Sequence, residues 1–322
     1  MVLAEKKGLG VKVFFAILIA AIQPASVLAD STVLIISGVP GSPTHAERFL
    51  AWTEDTRDIM VESFGFAPSD VHVLLHRNAR KTNVRNAFAN ISGELGPRDI
   101  FFVFLIGHGS YDGSDYKFNI LGPDLSASDY NDLLSSVGAG RTVIVNATNS
   151  SGGSIEKLAG QNRVIITATG SGMERNDTVF YGHFLAALKN VASDDDKNGK
   201  LSVWEAFRYA SLAVERFYSE ENRLATEHPQ LSDNGRKWDI EDSESLPDLA
   251  RIIYFNNQPE VEPSNPVIRA LLEDKRKLEE QLESLRLVKD TMHAEQYDQF
   301  MEEVLVQLAL INLKLREQEL NQ

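Results

Sequence analysis

The stretch that most constrains this chain is Ile100-Phe101-Phe102-Val103-Phe104-Leu105-Ile106. It has no polar face to turn toward water, and its aromatic and β-branched residues suit a pleated strand. Such a strand belongs inside a sheet covered on both sides. Around it the chain alternates short apolar runs with helical spacing. Val33–Ile36 is closed by Gly38, Pro40 and Gly41, and Val71–Leu75, Thr142–Asn146, Val164–Ala168 and Ile252–Phe255 read as further strands. Between the first two, His45–Phe64 places Phe49, Trp52, Ile59 and Met60 at helical intervals, and Thr82 reads as the N-cap of a helix running to about Leu95. Strands separated by helices predict an α/β domain with a mostly parallel, six-stranded sheet and helices on both faces. Ligands of such sheets bind where loops leave the carboxyl ends of neighbouring strands. That directs attention to the loops after Ile106, Asn146 and Ala168.

The first of these loops reads Gly107-His108-Gly109-Ser110-Tyr111-Asp112-Gly113, and the second Asn146-Ala147-Thr148-Asn149-Ser150-Ser151-Gly152-Gly153. One offers an imidazole and the other a row of hydroxyls. In this strand context the pair resembles the caspase–haemoglobinase fold, specifically the bacterial legumain-like cysteine peptidases. Ser37-Gly38-Val39-Pro40-Gly41, Thr167-Ala168-Thr169 with Glu174-Arg175-Asn176-Asp177-Thr178, and Glu227-His228-Pro229-Gln230-Leu231 also look like segments of that family. Together they extend the resemblance over about residues 32–258. The resemblance implies that His108 is the catalytic imidazole and that the backbone N–H of Gly109 is an oxyanion donor. It places the nucleophile position at Thr148.

Composition matters at this point, because the chain has no cysteine. Disulfides, thiolate zinc sites and a thiol nucleophile are excluded. A threonine hydroxyl is far less acidic than a thiol, and threonine nucleophiles rely on their own chain-terminal amine, which an internal Thr148 lacks. Asn146 also stands where the family commonly has Asp. Ser110, Ser150 and Ser151 are nearby hydroxyls that read as loop residues satisfying their own backbone. The expectation is therefore an inactive pseudopeptidase that binds a peptide or protein ligand. The alternative is a hydrolase in which His108 activates Thr148 or a neighbouring serine. His72 and His76 lie four apart without a third ligand, so a histidine metal site is not indicated.

A second constellation follows by spacing alone. Residues Asp194 to Glu205 match the twelve-residue calcium loop at its defining positions. Asp194, Asp196 and Asn198 offer side-chain oxygens, Gly199 the sharp turn, Lys200 its carbonyl, Ser202 the ninth ligand and Glu205 the bidentate twelfth. Helices about Val179–Val191 and Val203–Phe217 flank it, and Ca2+ as a single structural staple is the expected cofactor. Ser202 with Glu205 also fits a helix capping box.

The two ends of the chain differ from the middle. Lys6, Lys7 and Lys12 precede an apolar run from Val13 to Ile22, and Val27-Leu28-Ala29 ends in a small residue. This reads as a signal peptide over residues 1–29, cut before Asp30. Export to the periplasm or outside the cell is the expectation, with membrane attachment only if the segment stays uncleaved. The caspase/legumain-like domain then covers 30–255 and a Pro- and Glu-rich linker 256–266. Residues 267–322 read as an α-helical coiled-coil hairpin. Leu271, Leu278, Leu285 and Met292 lie seven apart, and Tyr297, Met301, Val304, Leu308, Ile311 and Leu315 alternate gaps of four and three. The periodicity breaks around Lys289–Glu295. The two seams are expected to bury each other, and the hairpin either packs back on the globular domain as a brace or serves self-association or partner binding. A net charge of −14 argues against nucleic acid as a partner.

Overall fold

A computed structural model describes residues 31–238, 247–256, 265–287 and 292–319. The signal-peptide expectation, most of the linker and part of the break near Lys289 lie outside the described residues. In chain order the strands are β1 (Ser31–Ser37), β2 (Val71–Leu75), β3 (Ile100–Ile106), β4 (Gly109–Tyr111), β5 (Tyr116–Phe118), β6 (Leu125–Ser126), β7 (Arg141–Asn146), β8 (Arg163–Thr167), β9 (Gln230–Asp233) and β10 (Arg236–Trp238). The α-helices are α1 (Pro43–Asp58), α2 (Lys81–Ser92), α3 (Ala127–Ser135), α4 (Ile155–Leu158), α5 (Phe180–Lys189), α6 (Val203–Glu220), α7 (Pro266–Leu287) and α8 (Ala294–Glu319). The main sheet runs β10-β9-β8-β7-β3-β1-β2, and β4-β5-β6 form a small second sheet.

β3 is central, parallel to β1 on one side and to β7 on the other. Its alternate residues enter two cores. Phe102, Phe104 and Ile106 meet Val33, Ile35, Val143 and Val145 under α1, α5 and α6. Phe101, Val103 and Leu105 meet Leu34, Ile36 and Ile144 under α2, α3 and α4. Each fully buried Phe of this strand contributes about 2–3 kcal/mol by leaving water. The expected two-sided burial is therefore present.

The expected count of six strands is corrected to seven in the main sheet among the described residues. Ile252–Phe255 is not one of them. Its backbone turns to the start of α6 instead, with Val203 N donating to Ile253 O at 2.9 Å and Phe255 N to Leu201 O at 2.9 Å. The sheet edge goes to β9, antiparallel to β8, and to β10, antiparallel to β9. Asn234 and Gly235 join this hairpin with φ of +50° and +83°, the left-handed pair that a tight two-residue turn requires. Asp233 Oδ2 accepts from the Leu249 and Ala250 amides, which anchors the segment leading to Phe255 against that edge.

Helix starts divide in the same way. Ser42 caps α1, accepting from His45 N at 3.2 Å, with Pro43 at the first helical position. The expectation of Thr82 as an N-cap is corrected: Arg80 holds that position in α2, its carbonyl accepting from Val84 N at 2.9 Å. A carbonyl can begin a helix without any capping side chain, so no sequence signal marks the start. α7 and α8 pack against each other, with Leu278 and Val304 buried.

Candidate functional site

The parallel register places the ends of β1, β3 and β7 side by side, with Ser37 opposite Ile106 and Leu105 opposite Asn146. Three loops therefore leave one edge together. His108 follows β3, and its Nε2 donates to the Pro40 carbonyl at 3.0 Å in the loop after β1. A carbonyl only accepts, so Nε2 carries a proton, and in the neutral ring the lone pair lies on Nδ1. The half-buried ring stands edge-on to Phe49, 5.1 Å between centroids, and to His45, 4.6 Å away.

His45 belongs to a second group at this mouth. Its Nδ1 meets Ser42 Oγ at 3.0 Å and its Nε2 meets Asp177 Oδ2 at 2.7 Å. Arg48 adds a contact to the same Asp177 oxygen at 3.4 Å. Partial burial pushes the Asp177 carboxyl up. The His45 hydrogen bond, the charge of Arg48 and the pull of His45 and His108 in their protonated forms outweigh that and hold it below the usual carboxylate range.

Thr148 has a different environment. Its side chain is wholly buried. Its hydroxyl lies 2.7 Å from the Tyr116 hydroxyl, 2.9 Å from Asn146 Oδ1 and 3.0 Å from Asn149 O. The Asn146 amide continues the network to Ser154 Oγ at 3.2 Å. Burial pushes the Tyr116 phenol far above its ordinary range, so it remains a neutral donor. No charged base touches the Thr148 hydroxyl among its hydrogen-bond partners.

Gly109 fits this packing closely. A Cβ there would lie 2.6 Å from Thr148 Oγ1 and would also run into Tyr116 and the Asn149 carbonyl. Its N–H, the expected oxyanion donor, already donates to Asn149 Oδ1 at 3.1 Å. The Asn149 amide reaches the Arg175 carbonyl at 3.2 Å, so one side chain ties the β3 loop to the loop after β8. Ser150 lies at φ +59° with a buried hydroxyl that has no hydrogen-bond partner among the described residues. The Ser151 hydroxyl meets Thr169 Oγ1 at 3.2 Å, and Ser110, on the exposed side, donates to Asn119 Oδ1.

The structure thus brings His108, Gly109 and Thr148 to one sheet edge, with the Thr148 hydroxyl directed into the interior. Sequence reasoning assigned no role to the Pro40 carbonyl, His45, Asn149, Tyr116 or Asp177. Pro40 and Asp177 fall inside segments already singled out, but their partners are distant in the chain. Tyr116 lies in a short strand that carries no periodic signal.

The twelve-residue acidic loop is wound tightly between α5 and α6. Asp194 accepts from the Asn198 and Gly199 amides at 3.1 and 2.8 Å, and Gly199 has φ +79°. Asp194, Asp196 and Glu205 present carboxylate oxygens within 4.8 Å of one another. Asn198 Oδ1 turns to the Lys200 amide at 2.8 Å, and Ser202 and Glu205 complete a reciprocal capping box. Burial, with the negative charges of Glu205 and Asp194, pushes the Asp196 carboxyl up against the hydrogen bonds that Asn198 donates to it. The neighbouring Arg208 pairs with Asp195. An all-oxygen trio of this kind suits a hard divalent cation.

Fold and site define the class as an α/β protein with a mostly parallel sheet, whose carboxyl-end loops carry a tautomer-fixed histidine beside a buried hydroxyl network. No family model matches the chain, and no curated protein matches it. Among solved structures it is similar to protein GSU0716 from Geobacter sulfurreducens, with 15% identity over 71% of this chain and 100% of that one, at a TM-score of 0.49. It is also similar to caspase-1 from Spodoptera frugiperda, with 11% identity over 68% of this chain and 92% of that one, at a TM-score of 0.43.

Proposed function

We propose that this protein is an exported, legumain-like peptidase homologue of the caspase–haemoglobinase fold, with Thr148 in place of the nucleophilic cysteine. It does not cleave peptides but binds them, or a partner protein, at the mouth formed by the loops after β1, β3 and β7. One observation carries the loss of chemistry. The Thr148 hydroxyl is fully buried and held by Tyr116, Asn146 and Asn149, where neither a substrate carbonyl nor a base has access. The Gly109 N–H, already bound by Asn149, is a second obstacle to stabilising an oxyanion. His108 is half-buried with Nε2 bound to Pro40, and in the neutral ring its Nδ1 serves as an acceptor for a ligand N–H.

Calcium belongs to the same proposal as a structural staple. Asp194, Asp196 and Glu205 would hold it together with the Lys200 carbonyl. Asn198, Ser202 and Glu205 reach it only if they give up present partners, since Glu205 Oε1 accepts from the Asp195 amide and Oε2 from the Ser202 amide and hydroxyl. The ion would supply charge neutralisation and no catalytic step.

The test uses the mature chain with millimolar calcium and a peptide panel covering all side chains at the cleavage position. No turnover is expected. Cleavage that disappears in both His108→Ala and Thr148→Ala would overturn the inactive assignment. Peptide selection on the same protein is expected to enrich ligands whose binding weakens in His108→Trp, which fills the mouth. No enrichment, or ligands indifferent to that change, defeats the binding role. Calorimetry without a calcium-binding heat removes the staple.

A further inference from the structure

α8 is apolar on more than one side. Tyr297, Met301, Val304, Leu308, Ile311 and Leu315 form the half-buried to buried stripe of the helix that pairs with α7. Leu305, Val306, Leu310 and Leu313 stand 48%, 52%, 52% and 55% exposed. At roughly 100° per residue, Val306 and Leu313 point to the side opposite the first stripe, flanked by Ala309 and Leu310. Met301, Leu305, Val306 and Ala309 line a shallow groove that runs from the first stripe round to this side, with Asp298 and Glu302. A helix that is apolar all round is normally buried all round, and a two-helix pair covers only one side of each member.

We infer that this second face of α8 is a homodimer surface, on which α8 of a second copy lies antiparallel about a two-fold axis beside Ala309. The charge pattern selects the occupant and its direction. Exposed Glu303 and Lys314 lie on the same flank of the apolar stripe, about three turns apart. A two-fold axis midway between them sets Glu303 of each copy against the partner's Lys314, twice in one interface. A parallel two-fold copy would place Glu303 and Lys314 on opposite flanks of the seam, each level with its own counterpart, so that neither meets an opposite charge. The same axis places Leu305 at the height of the partner's Leu313, and it puts Ala309, the smallest side chain of the stripe, where the two backbones come closest. A single patch that is complementary to itself in both shape and charge is what an isologous contact requires. The chain as a whole carries a charge of −14 and repels its own copies, so association needs a local surface where opposite charges meet.

Sedimentation equilibrium of the mature full chain at micromolar concentrations is expected to report a dimer. Val306→Glu with Leu313→Glu should give a monomer of unchanged helical circular dichroism, since both side chains are exposed. Glu303→Lys should weaken the dimer about tenfold at low salt, and adding Lys314→Glu should restore it. The chain contains no cysteine, so Ala309→Cys introduces a single thiol close to the axis. It should oxidise to a disulfide-linked dimer, whereas Gln307→Cys, off this face, should not. A monomeric wild type overturns the proposal, as does a dimer indifferent to the apolar substitutions. Equal cross-linking at both cysteine positions, or no rescue by the charge swap, overturns the antiparallel arrangement.

Discussion

His108 and Thr148 follow adjacent parallel strands of the same sheet, yet they occupy opposite environments. His108 stands half-buried at the mouth, its tautomer set by the Pro40 carbonyl and its other nitrogen left as an acceptor. Thr148 is wholly inside, its hydroxyl shared among Tyr116, Asn146 and Asn149. One loop holds an imidazole at the surface, and the other holds its hydroxyl as a structural joint. A hydroxyl reacts only if it can approach a substrate and pass its proton to a base, and a buried network denies it both. Two loops that leave neighbouring strands can thus place one side chain in the core and the other at the surface.

The largest expected effect tests how tightly the two loops are fitted. Gly109→Ala inserts a methyl group beside Thr148 Oγ1, Tyr116 and Asn149 O, and should cost ~3 kcal/mol in denaturant unfolding. A near-neutral result would mean that the two loops are separable and that Thr148 is not walled in.

The contrast itself is measured by Thr148→Val, which keeps the shape and removes the hydroxyl. Leaving Tyr116 and Asn146 short of a buried partner should cost about 2 kcal/mol. His108→Ala should cost no more than about 1 kcal/mol, because its single hydrogen bond is half-exposed. Equal losses in the two unfolding curves would erase the distinction between joint and mouth.

The smallest effect concerns pH at the mouth. Asp177 has a folded-state pKa below its unfolded value, so its stabilising contribution is present above the ordinary carboxylate range and is lost as pH falls through the lowered folded value. The melting-temperature gap between wild type and Asp177→Asn should therefore be full above about pH 4 and close in stronger acid. A gap that widens on acidification would show that the His45–Asp177 contact does not hold α1 to the loop after β8.

Much of the domain was legible because burial is written into residue type. The run Ile100–Ile106 has no polar side, so it had to be a central strand, and the five parallel strands follow from similar runs closed by turn residues. The sixth expected strand failed for the same reason that it was proposed. Ile252–Phe255 is apolar because it is buried, and burial alone does not say which neighbours its backbone will bond. β9 and β10 were missed because short strands at and next to a sheet edge carry polar residues and little periodicity, although the Asn234-Gly235 turn was a usable hairpin signal. At the site, His108, Gly109 and Thr148 were visible as positions, and the acidic loop was visible through its spacing. Asn149 as the group occupying the Gly109 amide had no sequence counterpart, since an amide side chain that closes a gap looks like any other loop residue.

By itself, then, the amino-acid sequence determined the sheet-centred architecture, the strand ends where chemistry would lie, and the absence of any thiol to perform it. Those properties depend on composition and local periodicity, which each segment carries alone. Only the tertiary structure decided which way Thr148 points, what the Gly109 N–H binds and which nitrogen of His108 is protonated. Each of those depends on a hydrogen-bond partner from another part of the chain, Tyr116, Asn149 and Pro40 respectively, and no local pattern specifies a partner that folding alone brings near.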